Sequence, residues 1–357
     1  MTRVETIREK LREKELDALL LFSDINIRYA AQFYITDGAA LITRDRAYLL
    51  TDSRYIEAAR EQAKDVEVLQ FDTAHPLKDR LAALLGERKG ELLKLGAEEK
   101  SLSYAAWNRW QEQLGVSFVP AEQLLLDLRA VKDADEVESI VKAQRIAEAA
   151  LEEVLPLIRP GIREREIAAE LTYRMLLLGG EGNSFDPIAI TGANTSRPHG
   201  VPGNAVVQPG DFVTMDFGTI CNGYHSDMTR TVAVGFATDE MRRVYDTVLR
   251  AQKAGIAAAR AGVSGAAVHA AAADVIAAAG YGEYFGHGFG HSVGLEIHEA
   301  PNASPRNKSP LPAGAVVTAE PGIYIPGKFG VRIEDMLLLR EGGVENLTKA
   351  PKELLVL

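Results

Sequence analysis

Two stretches of this chain place a pair of acidic side chains on the two sides of a turn. The first, DFVTMDFGTICNGYHSDMTRTVAVG, has Asn222-Gly223 at its middle, a pair that favours a two-residue hairpin turn because both turn positions take positive φ. With those two residues as the loop, Cys221 pairs with Tyr224 and Asp216 with Thr229, and Asp227 falls opposite Gly218. Asp216 and Asp227 are then diagonal neighbours on one face, roughly 7 Å apart at the backbone. Thr214, Thr229 and Thr231 share their face, while Val213, Met215, Phe217, Met228 and Val232 line the other, which therefore goes to a core. Two acids so placed repel, and a cation between them is the simplest remedy. A solvated face, where paired acids cost little, is the alternative.

The second stretch, AGAVVTAEPGIYIPGKFGVRIEDMLLL, repeats the device, with Glu320 and Glu334 each seven residues from Gly327. A hairpin centred there sets the two carboxylates across from each other with Arg332 on the same face, and Pro321-Gly322 is expected to add a bulge that shifts the register. Two acid-bearing hairpins are harder to explain as independent solvated surfaces than as one metal site. Between them lies EYFGHGFGHSVGLEIHEA, with His287, His291 and His298. Its glycines at 286, 288, 290 and 294 argue against a helix, and His298-Glu299 is followed by Ala-Pro, so the helical two-histidine zinc motif is absent. Any one of these histidines could be a hydrogen-bonded loop residue. Four carboxylates with one imidazole form an oxygen-rich set whose charge balances two divalent ions, suited to Mn²⁺, Co²⁺, Fe²⁺ or Zn²⁺ rather than copper or a thiolate site. Paired ions acidify water and polarise a carbonyl, so hydrolysis is the reaction class that follows.

The elements that must carry these residues are those of an ordinary folded protein. The 357 residues exceed the size at which one core usually stops growing, so two domains are expected. Apolar residues make up 46% and charged residues 25%, far from a disordered composition. The net charge of -10, from 40 basic and 50 acidic residues with no basic block, argues against a nucleic-acid partner. Charges throughout the first 22 residues break any signal-peptide core, no run reaches the roughly 18 apolar residues of a spanning helix, and Cys221 is the only cysteine. A cytoplasmic protein with no membrane partner is the expectation.

Up to about residue 125, short apolar runs (Ala18 to Phe22, Ala39 to Ile42, Ala47 to Leu50, Val66 to Leu69, Leu92 to Leu95) alternate with amphipathic stretches, which reads as a small mixed α/β domain. A polar segment from Arg129 opens a helical pattern running to about Ile158, and the boundary is set there, giving domains 1–128 and 129–357. In the second, Arg159-Pro160-Gly161-Ile162 recurs as Arg260-Ala261-Gly262-Val263, and Gly179 maps onto Gly280, at one offset of 101. Two αβ halves around a shared cleft are the expected architecture.

The strings MDFG, SDMTRT, GHGFGHSVGLEIHE, AEPGIY and VRIED, with NTSRPHG upstream, resemble the pita-bread metallopeptidases, in the branch of prolidase and aminopeptidase P. The resemblance covers residues 130 to 357, and more loosely the N-terminal domain through ITDGAALITRDRAYLLTDSRY. It implies an α/β (α+β) chain, a creatinase-like N-terminal domain followed by a duplicated pita-bread domain, that hydrolyses the Xaa-Pro bond at a peptide's N-terminus with two divalent ions, Mn²⁺ first. In that family's terms Asp227 and His291 bind one ion with Glu320, Asp216 and Glu334 bridge both, and Glu320 is the general base. His199 and His298 face the substrate carbonyl, His287 and Arg332 orient ligands and substrate, and Tyr324 is a further substrate contact. The bond before proline is a tertiary amide with no N–H, so its enzyme must hold the ring by shape. Methionine aminopeptidases share the fold but generally lack a domain like residues 1 to 125, and a metal-free binding protein of the same fold, the remaining alternative, is disfavoured because all five ligand positions are intact. A dipeptidase must block longer chains; the expected device is a homodimer in which the loop Ile35 to Ala39, with Asp37, approaches the partner's cleft.

Overall fold

The apolar runs of the N-terminal part fall on strands of one six-stranded sheet, to which Ser117–Pro120 adds a strand that no run marked. In the computed structural model, which describes residues 1–86 and 94–357, these are β1 (Ala18–Leu21), β2 (Gly38–Thr43), β3 (Ala47–Thr51), β4 (Glu67–Gln70), β5 (Lys94–Ala97) and β6 (Ser117–Pro120), in the order β4-β3-β2-β1-β5-β6. Leu92 and Leu93 of the fifth expected run lie outside the described residues. The pairs β1–β2 and β2–β3 are antiparallel and the others parallel, so the sheet is mixed. Helices α1 (Arg3–Glu13), α2 (Asp24–Ala31), α3 (Ile56–Gln62), α4 (Leu77–Gly86), α5 (Tyr104–Leu114) and α6 (Glu122–Ala130) connect the strands. Leu81 and Leu85 of α4 pack with Leu20, Leu41, Leu50 and Phe118, and Leu19, Ile42 and Leu49 on the opposite face are fully buried too, which explains why the central strands read as unbroken apolar runs. The unit formed this way is Met1–Arg129.

The second unit, Ala130–Leu357, is built twice over. The first half runs α7 (Ala134–Val154), α8 (Glu164–Leu177), β7 (Ile188–Thr191), β8 (Phe212–Phe217), β9 (Ile220–Cys221), β10 (Tyr224–His225) and β11 (Met228–Ala233). The second runs α9 (Asp239–Ala258), α10 (Gly265–Ala278), β12 (Gly290–Ser292), β13 (Glu299–Ala303), β14 (Val316–Ala319), β15 (Gly322–Ile325), β16 (Phe329–Arg332), β17 (Asp335–Arg340) and β18 (Gly343–Asn346). The helices α8 and α10 begin and end at the sequence offset of 101. The matched glycines before them do the same work, Gly161 donating to the Val207 carbonyl at 3.0 Å and Gly262 to that of Leu311 at 2.9 Å. Each half has its own core, one around Leu171, Met215 and Phe217, the other around Val248, Phe289 and Leu337. Helix α7 ends earlier than the expected Ile158: Pro156 has no N–H for the α-helical ladder, and a 3₁₀ turn, Leu155–Leu157, follows. Among the described residues no helix is long and apolar enough to cross a membrane.

The first hairpin has the expected register, with Asp216 opposite Thr229 and Cys221 opposite Tyr224. Its turn needs the residues it has, since Asn222 and Gly223 take φ of 51° and 80°. Both faces are buried, because Thr214, Thr229 and Thr231 are at most 2% exposed; the solvated alternative does not hold. The second hairpin corrects one expectation. Ala319 pairs with Asp335 and Gly322 with Arg332 in a single register, so Pro321-Gly322 adds no bulge. Equal numbers of residues leave the ladder on both strands: the Glu320 N–H turns to the Phe289 carbonyl at 2.8 Å and the Glu334 N–H to that of Thr229 at 3.1 Å.

Candidate metal centre

Each acidic side chain reaches the site from a different strand or strand break. Asp216 stands on β8, Asp227 one residue before β11, His291 on β12, Glu320 after β14 and Glu334 before β17. The His291 Nδ1 lies 3.2 Å from the Ser292 carbonyl, which can only accept, so Nδ1 carries the proton and Nε2 presents its lone pair. That Nε2 is 3.5 Å from Asp227 Oδ2 and 3.4 Å from Glu320 Oε1. Ligand atoms of Asp227, His291 and Glu334 all lie within 4.8 Å of one another. Close approach of the strands depends on Gly290, where a Cβ would stand 1.9 Å from the Thr318 carbonyl oxygen.

Burial dominates the electrostatics. It pushes the Asp227 and Glu334 carboxyls well up, aided by neighbouring acids, and lifts Glu320 to about 7. Asp216 Oδ1 and Asp227 Oδ1 are buried without a hydrogen-bond partner, which is costly for a carboxylate oxygen unless something cationic completes it. The donor set is hard oxygen with one neutral imidazole, and two divalent ions would meet it with matching charge. These residues fit a two-ion site.

Around the five, a directed hydrogen-bond chain fixes the remaining polar groups. Arg332, 4% exposed, donates Nη2 to Asp216 Oδ2 at 2.5 Å, Nε to Thr229 Oγ1 at 3.0 Å and Nη1 to the Tyr324 hydroxyl at 3.0 Å. His287 donates Nδ1 to the Gly288 carbonyl at 2.8 Å, so its Nε2 accepts from the Tyr324 hydroxyl at 3.0 Å. Burial pushes His287 down to about 4 and Tyr324 up to about 12, so both stay neutral. His298 stacks edge-on against His291 with ring centres 4.3 Å apart, and burial together with His291 lowers its pKa. His199 lies on the loop after β7 and lines the same cavity, of about 590 Å³. The Glu164 carboxylate at the start of α8 secures that loop, accepting from the N–H groups of Thr191 and Gly203 and from Asn194 Nδ2.

Ten of the eleven residues singled out in the sequence therefore line one cavity. Asp37 does not: it lies in the N-terminal unit, exposed and ion-paired with Arg54 at 2.6 Å. Its loop is also shorter than expected, because Gly38 and Ala39 belong to β2 and Ile35 is fully buried, leaving Thr36 and Asp37 outside. Thr318 was not anticipated; its hydroxyl donates to Glu320 Oε1 at 3.1 Å and accepts from the His291 N–H at 3.0 Å. Its position two residues before Glu320, on the same strand face, is the signal that could have found it.

Comparison with known proteins identifies the family. The model of metallopeptidase family M24 matches residues 138–341, and that of the creatinase/prolidase N-terminal domain residues 3–131. The chain is 36% identical to the Xaa-Pro dipeptidase of Pyrococcus furiosus over 99% of both chains. Among solved structures it resembles the Xaa-Pro dipeptidase from Bacillus anthracis, at 42% identity and a TM-score of 0.94 over 99% of both chains. It likewise resembles the X-Pro aminopeptidase from Thermotoga maritima, at 37% identity and a TM-score of 0.91 over 100% of both. With a creatinase-like N-terminal domain and a duplicated pita-bread domain, the chain belongs to metallopeptidase family M24.

Proposed function

We propose that this protein is a metal-dependent exopeptidase that hydrolyses the Xaa-Pro bond of dipeptides, with residues 129–357 as the catalytic domain and 1–128 as the N-terminal one. The observation that carries the reading is that four carboxylates and one oriented imidazole line one cavity, and that two of those carboxylates, Asp216 and Asp227, each bury an oxygen with no hydrogen-bond partner. Asp216, Asp227, His291, Glu320 and Glu334 would hold two divalent ions, manganese first among Mn²⁺, Co²⁺, Zn²⁺ and Fe²⁺. When bound, the ions supply Lewis acidity that acidifies water and polarises the carbonyl of the bond to be cut.

The chain's own groups do the rest. Thr318 occupies Glu320 Oε1, which leaves Oε2 to take the proton of the attacking water and pass it to the departing proline nitrogen, a group too basic to leave as an anion. His199 and His298 present imidazoles at the cavity wall, where a donor stabilises negative charge developing on the carbonyl oxygen. Arg332, Tyr324 and His287 form one hydrogen-bonded chain that holds Asp216 and orients the substrate. Phe185, Pro187, Ile188, Val201 and Ile297 give the cavity an apolar side, against which a ring without an N–H is held by shape. We place the protein in the cytoplasm, a reducing compartment consistent with its one cysteine. We also place it in a homodimer, where Asp37 would approach the partner's cleft and shorten the accepted peptide. Turnover of Xaa-Pro and Xaa-Pro-Xaa peptides with manganese supplied tests this. Dipeptides should be cleaved faster, and equal or faster tripeptide cleavage would instead make the protein an Xaa-Pro aminopeptidase.

A further inference from the structure

Arg230 lies on β11 between Thr229 and Thr231, so by strand alternation its side chain leaves the face that carries the acids. It is 3% exposed, yet every polar hydrogen direction is used. Nε donates to the Pro351 carbonyl at 2.8 Å, Nη1 to those of Thr229 at 2.9 Å and Glu334 at 2.6 Å, and Nη2 to Asp335 Oδ1 at 2.9 Å and the Ala350 carbonyl at 2.7 Å. One planar fork thus ties together three separate segments: the first hairpin, the backbone of Glu334 and the chain's last ten residues. That final segment is itself held, because Glu148 accepts from the N–H groups of Lys349 and Ala350 and the Tyr245 hydroxyl donates to the Lys352 carbonyl at 3.0 Å.

Glu334 is consequently gripped at three points. Its N–H goes to Thr229, its carbonyl receives Arg230, and its Oε2 accepts from Thr229 Oγ1 at 2.7 Å. Thr229 is in turn held by Arg230 through its carbonyl and pairs with Asp216 across the hairpin. We infer that Arg230 is a positioning residue for the divalent-ion site. It touches neither ion nor substrate, but it sets the spacing between Asp216 and Glu334, which come from opposite halves of the duplicated unit, and it makes the C-terminal segment part of that support. The inference rests on the two-ion reading of the site.

The test is manganese affinity, measured by titration calorimetry on chelator-stripped protein. Arg230→Lys keeps a cation beside Asp335 but cannot bond the Thr229 and Glu334 carbonyls together; it should bind manganese about 10–100-fold more weakly. Lys352→Met removes the 2.5 Å ion pair to Asp335 while leaving every Arg230 bond to Thr229 and Glu334. It should lower the melting temperature and leave affinity within about twofold of wild type. Arg230→Gln replaces the lysine variant if that one does not fold. Wild-type affinity in a folded Arg230 variant overturns the inference, and so does an equal loss in Lys352→Met, which would mark a general loosening. If neither Arg230 variant folds even with manganese present, Arg230 is a requirement of the fold and not of the site, and the inference also fails. A wild-type chain that binds no manganese overturns the two-ion reading itself, whereas wild-type binding with unaltered variants overturns this inference alone.

Discussion

Glu320 and Glu334 face each other across a hairpin at the break between its two ladders, where each spends its backbone N–H on a different strand, Glu320 on Phe289 and Glu334 on Thr229. The break frees both side chains to point into one cavity and stitches the hairpin to its neighbours, so the geometry that places the acids also buries them. Buried acids without a cation must be protonated or destabilise the fold.

Stability of the metal-free chain should therefore fall as pH rises. The folded-state pKa of Glu320 is lifted to about 7, and those of Asp227 and Glu334 are raised well above their usual values. Groups raised on folding give stability that is complete below the unfolded carboxyl range, near 4, and is lost as pH climbs through the folded values. In chelator the melting temperature should drop between about pH 7 and pH 9, above the range in which the buried, neutral His287 and His298 gain stability with pH and oppose the trend. Saturating manganese should reverse the trend, because ions compete with protons for the same oxygens and win at higher pH. A chelated protein whose melting temperature is flat or rising over that window would contradict the burial of unpaired acids.

Asp227→Ala and Glu320→Ala separate a ligand role from a structural one. Both should abolish peptidase activity with metal supplied; Glu320→Gln, which cannot accept the proton, should lose about 10²–10⁴-fold in kcat. In chelator at pH 8, Asp227→Ala should melt no lower than wild type, since it removes an acid that burial disfavours. Wild-type turnover in either alanine variant would remove that residue from the site.

Much of this arrangement is legible in the sequence because local chemistry sets it. Asn222-Gly223 fixes a two-residue turn, which fixes the register, which puts Asp216 and Asp227 on one face. The expected bulge at Pro321-Gly322 fails for a non-local reason: the N–H groups of Glu320 and Glu334 are satisfied by Phe289 and Thr229, distant in sequence, so the break needs no extra residue. The loop expected from Ile35 to Ala39 shrinks to Thr36 and Asp37 because pairing with β3 takes Gly38 and Ala39 into β2 and the Ile35 side chain is buried. Partners far apart in the chain, such as Arg230 with Ala350 or Lys132 with Glu299, leave no periodic signature at all.

The Lys132–Glu299 pair carries the last prediction. Its Nζ and Oε2 are 3.0 Å apart, with side chains 1% and 4% exposed, and Lys132 also reaches Ser292 Oγ at 3.5 Å. Ser292 follows His291 and Glu299 follows His298, so the ammonium sits behind both histidines. The missing Cβ of Gly294 leaves room for the Glu299 carboxylate, whose Oε1 accepts from the Glu296 N–H at 3.2 Å. Lys132→Met takes that ammonium away from a buried carboxylate and should cost about 3–5 kcal/mol in urea unfolding, whereas replacing both partners with apolar residues should recover most of the loss. If the pair only packs, recovered stability brings recovered activity. If it also orients the turn that delivers His298, the double variant stays slow in kcat while its manganese affinity is unchanged, which is the outcome expected here. A single variant within about 0.5 kcal/mol of wild type would show that the buried pair is not what holds the histidine segment.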